Sequence, residues 1–170
     1  MHNISFQKKG SLGFYTSFKL LKELSVFFAF TTRFGGISPS PYDSLNLAFH
    51  VGDNPTNVVK NREILCSTFG LDLSLVTAPE QIHSDGVKIV DSSLKGRGAY
   101  SANTAIDGAD ALITDLKRVP LVIFLADCVP VVLVERHAKA VGIVHAGWQG
   151  TYKEIALKTA KLMKETYNLS

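Results

Sequence analysis

The stretch 125–150, "LADCVPVVLVERHAKAVGIVHAGWQG", decides how the rest of the chain is read. Residues 131–134 (VVLV) and 140–144 (AVGIV) are apolar and rich in β-branched side chains, and residues 135–139 (ERHAK) between them form a polar link. Two such runs joined by a short polar segment predict a buried β-hairpin. With the turn at 136–139, Glu135 faces Ala140, and antiparallel pairing then sets Pro130 opposite His145. Cys128 lies two residues further on, roughly 7 Å along a strand that rises about 3.3 Å per residue. A thiol and an imidazole therefore share the open end of the hairpin, with Asp127 beside them.

A Cys and a His brought together serve one of two chemistries: ligation of a metal, for which borderline-soft zinc suits thiolate and imidazole, or a nucleophile paired with its base. Three protein ligands and one open position define a catalytic zinc site, and His83, in the connection "PEQIHSDG", is the candidate third ligand. Neither the interval from His83 to Cys128 nor that from Cys128 to His145 is a local ligand signature. Taken singly, Cys128 also reads as a small core residue, because free Cys is among the most buried types, and Asp127 reads as a cap for the turn before Pro130. Spacing leaves site and packing both open.

Outward from the hairpin, residues 87–90, 111–114 and 121–126 read as strands, the last apolar throughout and so buried on both faces. Residues 75–77 form a further short strand, and residues 95–104 (KGRGAYSANT) an exposed excursion. After the hairpin, Thr151 and Glu154 make a capping-box pattern ahead of a helix that carries Tyr152, Ile155, Ala156, Met163 and Tyr167. Earlier, residues 26–32 read as a strand that runs into a long turn-rich loop, 33–55, whose Leu45, Leu47, Phe49 and Val51 argue against disorder. Asn54 as N-cap and Pro55 at N1 start a helix with Val58, Leu65 and Phe69 at helical spacing, closed by Gly70. Strands outnumber helices without regular interleaving, so the class is α+β.

With 170 residues, 46% of them hydrophobic and 19% charged, the expectation is one domain over 1–170 with a real core. A net charge of +3 without a Lys/Arg cluster argues against nucleic acid as a partner. The early residues lack a signal-peptide pattern, and the apolar run 20–31 is broken by Lys22 and Glu23 and too short to span a membrane. A cytoplasmic location follows, with both cysteines as free thiols.

Of the remaining candidates, Cys66 reads as helix packing, His2 as part of a terminus, and His137 as a solvent-facing turn residue. His50 is structural or lines a site, and Trp148 packs or stacks on a heterocycle. The helix start after His145 offers an anion site, and Arg33 with Gly35 and Gly36 is either a guanidinium beside a close-approaching backbone or a simple turn.

The segments "TTRFGGISPSPYDSLNLAFHVGDNPTNVVKNR", "PEQIHSD", "DGADALIT", "LADCVPVVLV" and "HAGWQG" occur in the order of a known family. From about Val26 onward the chain resembles the polyphenol oxidase or laccase-domain proteins, also described as multifunctional purine nucleoside phosphorylases. The resemblance implies a four-layer α/β/β/α sandwich with mixed sheets, and a zinc ion held by His83, Cys128 and His145. It implies phosphorolysis of adenosine, inosine, guanosine and methylthioadenosine with inorganic phosphate, together with adenosine deamination, in which zinc would activate water for attack at purine C6. Presence in the matching motifs suggests Arg33 and the helix start at 148–151 for phosphate, and Asn46 and Gln81 for orienting the nucleoside.

Two departures stand out. The family usually has Arg after the Trp of "HAGW", where this chain has Gln149, and an amide does not replace a guanidinium's charge. The chain also stops at Ser170, without the "GP-x-I-x-x-C" type segment with which relatives usually continue. Three alternatives to the zinc phosphorylase reading stand beside it: a copper-dependent polyphenol oxidase, disfavoured by only five histidines; a metal-free hydrolase with Cys128 as nucleophile; and a non-catalytic zinc-binding module.

Overall fold

The computed structural model of the chain describes residues 4–169 and divides after Leu73 into two units, each with its own sheet. The prediction for His2 falls outside the described residues. The class is α+β, as the order of elements predicts.

In the first unit, β1 (Ser5–Lys9) and β2 (Leu12–Thr16) pair antiparallel around a turn where Gly10 adopts φ +59°. Helix α1 (Phe18–Leu24) follows, its first turn capped by Ser17. The strand expected over 26–32 shrinks to β3 (Phe30–Thr31), because the Phe28 carbonyl accepts a hydrogen bond from the Thr16 hydroxyl (2.6 Å) instead of joining a ladder. This sheet is wholly antiparallel, so only the second sheet is mixed.

Helix α2 (Pro55–Phe69) starts and stops where its signals place it: Asn54 accepts from the Thr56 N–H, and Gly70 closes it in the left-handed region. Its buried positions are Val58, Asn61, Arg62 and Cys66, a stripe far more polar than Val58, Leu65 and Phe69 suggested. The long loop explains this, because its backbone groups need partners. Asn61 accepts from the Ile37 N–H (2.8 Å) and donates to the Ser38 hydroxyl and the Asn46 carbonyl (both 2.8 Å). Arg62 donates to the Leu47 carbonyl (2.9 Å) and lies over the Phe49 ring. Burial, only partly offset by nearby Cys66, pulls its guanidinium down to about 10.

The second unit is built on the sheet β4-β5-β7-β6, with β4 at Val87–Ile89, β5 at Ala111–Thr114, β6 at Val129–Val134 and β7 at Val141–Ala146. Only β4 and β5 run parallel. The hairpin register is the expected one, with Pro130 opposite His145 and the Glu135 N–H bonded to the Ala140 carbonyl. The hairpin is not uniformly buried, however: β6 is the sheet's edge, and Val129, Pro130 and Val132 are exposed. Pro130 suits an edge, where its missing N–H costs no ladder bond.

The strand expected over 121–126 does not form. Leu121 makes a single bridge to Thr77, the segment is half-buried, and the amide of Gln81 takes the place of a strand partner for Phe124. The capping box is likewise absent. Helix α3 (Trp148–Tyr152) begins directly after Gly147, Glu154 turns left-handed at φ +59°, and α4 (Ile155–Thr166) restarts beyond it. Ile155, Thr159 and Met163 form α4's buried face, whereas Tyr152 is exposed. That face packs on Ala111, Ile113 and Val144. The opposite side of the sheet, with Leu112 and Ile143, packs on Val90, Leu94, Ile106 and Leu121. The excursion 95–104 is less exposed than its composition suggests, with Ala99 buried and Arg97 bonded to the Thr104 and Ala105 carbonyls.

Candidate metal centre

One end of the second sheet gathers residues from three segments. His145 lies near the end of β7 and is buried, Cys128 immediately precedes β6 and is half-buried, and His83 lies in the loop before β4 with its side chain exposed. One donor atom of each lies within 4.8 Å of the other two, and the two imidazoles meet edge to face at 4.8 Å between centroids.

Asp110, fully buried just before β5, organises both histidines. Its Oδ1 lies 2.8 Å from His145 Nδ1, and its main-chain carbonyl accepts the His145 N–H (2.7 Å). The same carboxylate accepts the N–H groups of His83 (3.0 Å) and Ser84 (2.9 Å), holding His83 in a left-handed conformation of φ +58°. Such a conformation is costly for a non-glycine residue and persists where the surroundings impose it. With His145 Nδ1 engaged by Asp110, its Nε2 is the atom left to ligate, the arrangement by which a carboxylate orients a metal-binding imidazole. Burial opposes ionisation of Asp110, but the hydrogen bonds from His145, Ser84 and His83 win and hold its carboxyl below the ordinary 3.8.

Gly147, opposite Cys128 in the continued register, provides room. A Cβ there would lie 3.3 Å from His83 Cδ2 and 3.4 Å from Cys128 Sγ. Its φ of −70° suits any residue, so a side chain here would act by crowding the His83 ring and the Cys128 sulfur and not through the backbone. The donors fit a metal ion in kind: two imidazole nitrogens and a sulfur match zinc, with bonds of about 2.0–2.3 Å. Charge agrees. Burial, then the Asp127 and Asp110 carboxylates, push the Cys128 thiol up. The carboxylates that disfavour a bare thiolate favour a divalent cation beside it.

The other expected site residues are engaged elsewhere. Arg33, in the first unit, donates to the Asp43 carbonyl (2.6 Å) and pairs with its carboxylate at 3.3 Å. Asn46 donates to the Ala48 carbonyl and to Asp53 and accepts from the Ala48 N–H. Gln81, at φ +62°, exchanges two hydrogen bonds with the Phe124 main chain (2.7 and 2.8 Å). Asp110 and Gly147 were not singled out from the sequence. A carboxylate in "GADAL" reads as a turn residue before an apolar strand, and only its complete burial reveals its role.

Residues 27–170 match the family model described as multi-copper polyphenol oxidoreductase laccase. The chain belongs to this family. Within the laccase family it is 39% identical over 136 residues to "Purine nucleoside phosphorylase YlmD" of Bacillus subtilis, covering 80% of this chain and 49% of that protein. It is 36% identical over 129 residues to "Adenosine deaminase RL5" from an unknown prokaryotic organism, covering 75% and 49%. The crystal structure of YlmD from Geobacillus stearothermophilus superimposes with a TM-score of 0.91 at 34% identity, over 99% of this chain and 62% of that one. The chain thus spans about half the length of these two curated laccase-family relatives.

Proposed function

We propose that the chain is the metal-binding part of a purine nucleoside phosphorylase with adenosine deaminase activity, in which His83, Cys128 and His145 hold zinc. The observation that carries this reading is the convergence of the three donors around Asp110, in a chain whose relatives are named for purine nucleoside phosphorolysis and adenosine deamination. Zinc held by His83, Cys128 and His145 would supply a Lewis acid able to activate water, the chemistry needed to displace ammonia from purine C6. Asp110 orients the His145 imidazole and holds the His83 main chain in place, so this part of the site is preorganised.

In phosphorolysis a phosphate oxygen bonds to C1′ of the sugar, the bond from C1′ to the base nitrogen breaks, and the departing base gains a proton. The substrates are adenosine, inosine, guanosine and methylthioadenosine, with inorganic phosphate as co-substrate, in the cytoplasm. The 148–151 helix start is assigned to phosphate, whereas the Arg33 guanidinium is held by Asp43 within the first unit. Gln81 acts on the nucleoside side by holding Phe124, in the segment that leads into Cys128. The test is product analysis: metal-replete protein releases hypoxanthine from inosine only when phosphate is present, and chelation abolishes release. Metal-replete protein that releases neither base nor ammonia would overturn the reading.

A copper-dependent phenol oxidase is the second reading, favoured by the family's description. Laccase chemistry uses several coppers, and His83, Cys128 and His145 form the one His/Cys/carboxylate grouping of this kind among the described residues. Oxygen consumption by copper-loaded protein with a phenol would establish it. The metal-free hydrolase reading fares worse, because a thiol pushed up by burial and two carboxylates is a poor source of thiolate.

A further inference from the structure

The three donors are not equally anchored. His145 belongs to β7 and Cys128 immediately precedes β6, whereas His83 comes from the loop before β4 and is the one whose side chain is exposed. Asp110 holds that loop on one side, through the N–H groups of His83 and Ser84. Its other side is held by the two helices that follow the hairpin. The Ser84 carbonyl lies against Gly150 of α3, where a Cβ would come within 2.7 Å of its oxygen. Lys153, at the C-terminal end of α3, donates to the Ser84 hydroxyl (2.9 Å) and lies 3.6 Å from Asp85 Oδ1. Lys158, in α4, donates to Asp85 Oδ2. The Ser84 hydroxyl in turn donates to Asp85 (3.1 Å), so both residues after His83 are tied to the helices.

The break between α3 and α4 makes this grip possible. Lys153 and Lys158 are five residues apart, which in an unbroken helix would set them about 140° apart around the axis. Glu154, at φ +59°, interrupts the helix between them, and both ammonium groups converge on one carboxylate. A left-handed non-glycine residue is costly, and this one sits between the two cations that grip the loop.

We propose that Asp85, clamped by Lys153 and Lys158, is a positioning residue for His83: it fixes the loop that brings this ligand to the metal. The proposal rests on the metal reading above and adds to it the residues that govern the third ligand. Cys128 and His145 are brought together by the hairpin register, so the clamp governs only what His83 adds to the affinity.

The test is zinc affinity by competition with a chromophoric chelator, read with and without His83. Asp85→Ala should weaken zinc about 3- to 10-fold, less than loss of a buried orienting group because these ion pairs are partly in solvent. Lys158→Arg, which keeps the cation, should retain the parental affinity. In a His83→Ala background, where zinc is already weak, Asp85→Ala should change nothing further, a result that general loosening of the fold would not give. Lys153→Met combined with Lys158→Met removes the same contacts from the helix side and should match Asp85→Ala, which keeps the test decisive if Asp85→Ala folds poorly. Parental affinity in these variants, or an equal loss with and without His83, would overturn the clamp and leave the metal reading standing. No zinc held by the parent chain would overturn the metal reading and the clamp with it.

Discussion

Asp110 and Gly147 act on the three donors without being among them. Asp110 is one carboxylate with three distinct N–H partners, on His145, His83 and Ser84. Asp110→Asn replaces an acceptor oxygen by an amide nitrogen and upsets the His145 tautomer. Zinc affinity should fall about 10- to 100-fold, as for other groups that orient a ligand, measured by competition with a chromophoric chelator. Gly147→Ala adds a methyl group 3.3 Å from His83 and 3.4 Å from Cys128. It should weaken zinc about tenfold or more by the same competition, although the backbone accepts alanine. Cys128 gives a third readout. Cys66 is buried with its thiol pushed up to about 11, chiefly by burial, so alkylation of native protein reports Cys128. Zinc-loaded protein should resist iodoacetamide and become labelled once after chelation. Rapid labelling before chelation would favour the free nucleophile. At this scale the sequence shows the reactive side chains but not what orients them, since an Asp between two alanines carries no sign of its burial.

The elements differ in how openly their sequences announce them. Hairpin register was legible because a polar turn separates two β-branched runs, and helix α2 because Asn54, Pro55 and Gly70 mark its ends. The segment 121–126 was not, because an apolar run looks alike whether it pairs along its length or, as here, is held by one bridge and the Gln81 amide. Nor was the break between α3 and α4, where Glu154 turns left-handed with no glycine to signal it. Buried Asn61 ties the loop 33–55 to α2 through three hydrogen bonds. Asn61→Ala strands the Ile37 N–H and should cost about 1–3 kcal/mol, measured by urea unfolding. Asp53, buried in the same loop, is opposed by desolvation but held below 3.8 by bonds from Asn46, Ser38, Asn54 and Asn57. Its contribution is complete above the unfolded value of 3.8 and is lost as pH falls through the lower folded value. Asp53→Asn should therefore be less stable than the parent at neutral pH, and the difference should shrink on acidification through that window.

For the whole molecule, the α+β class was legible from the count and order of elements, whereas the edge position of β6 depends on partners far apart in sequence. Two units, each with its own sheet, make up a chain that spans about half of its curated relatives. No helix among the described residues is long and apolar enough to cross a membrane. The activity proposed for the chain depends on one claim: that His83, Cys128 and His145 bind a single metal ion together. Equilibrium dialysis of the purified chain against zinc tests it most directly, alongside Cys128→Ala and His145→Ala. One tightly held ion per chain, lost in both variants, is the predicted result; the same stoichiometry and affinity in either variant would contradict it.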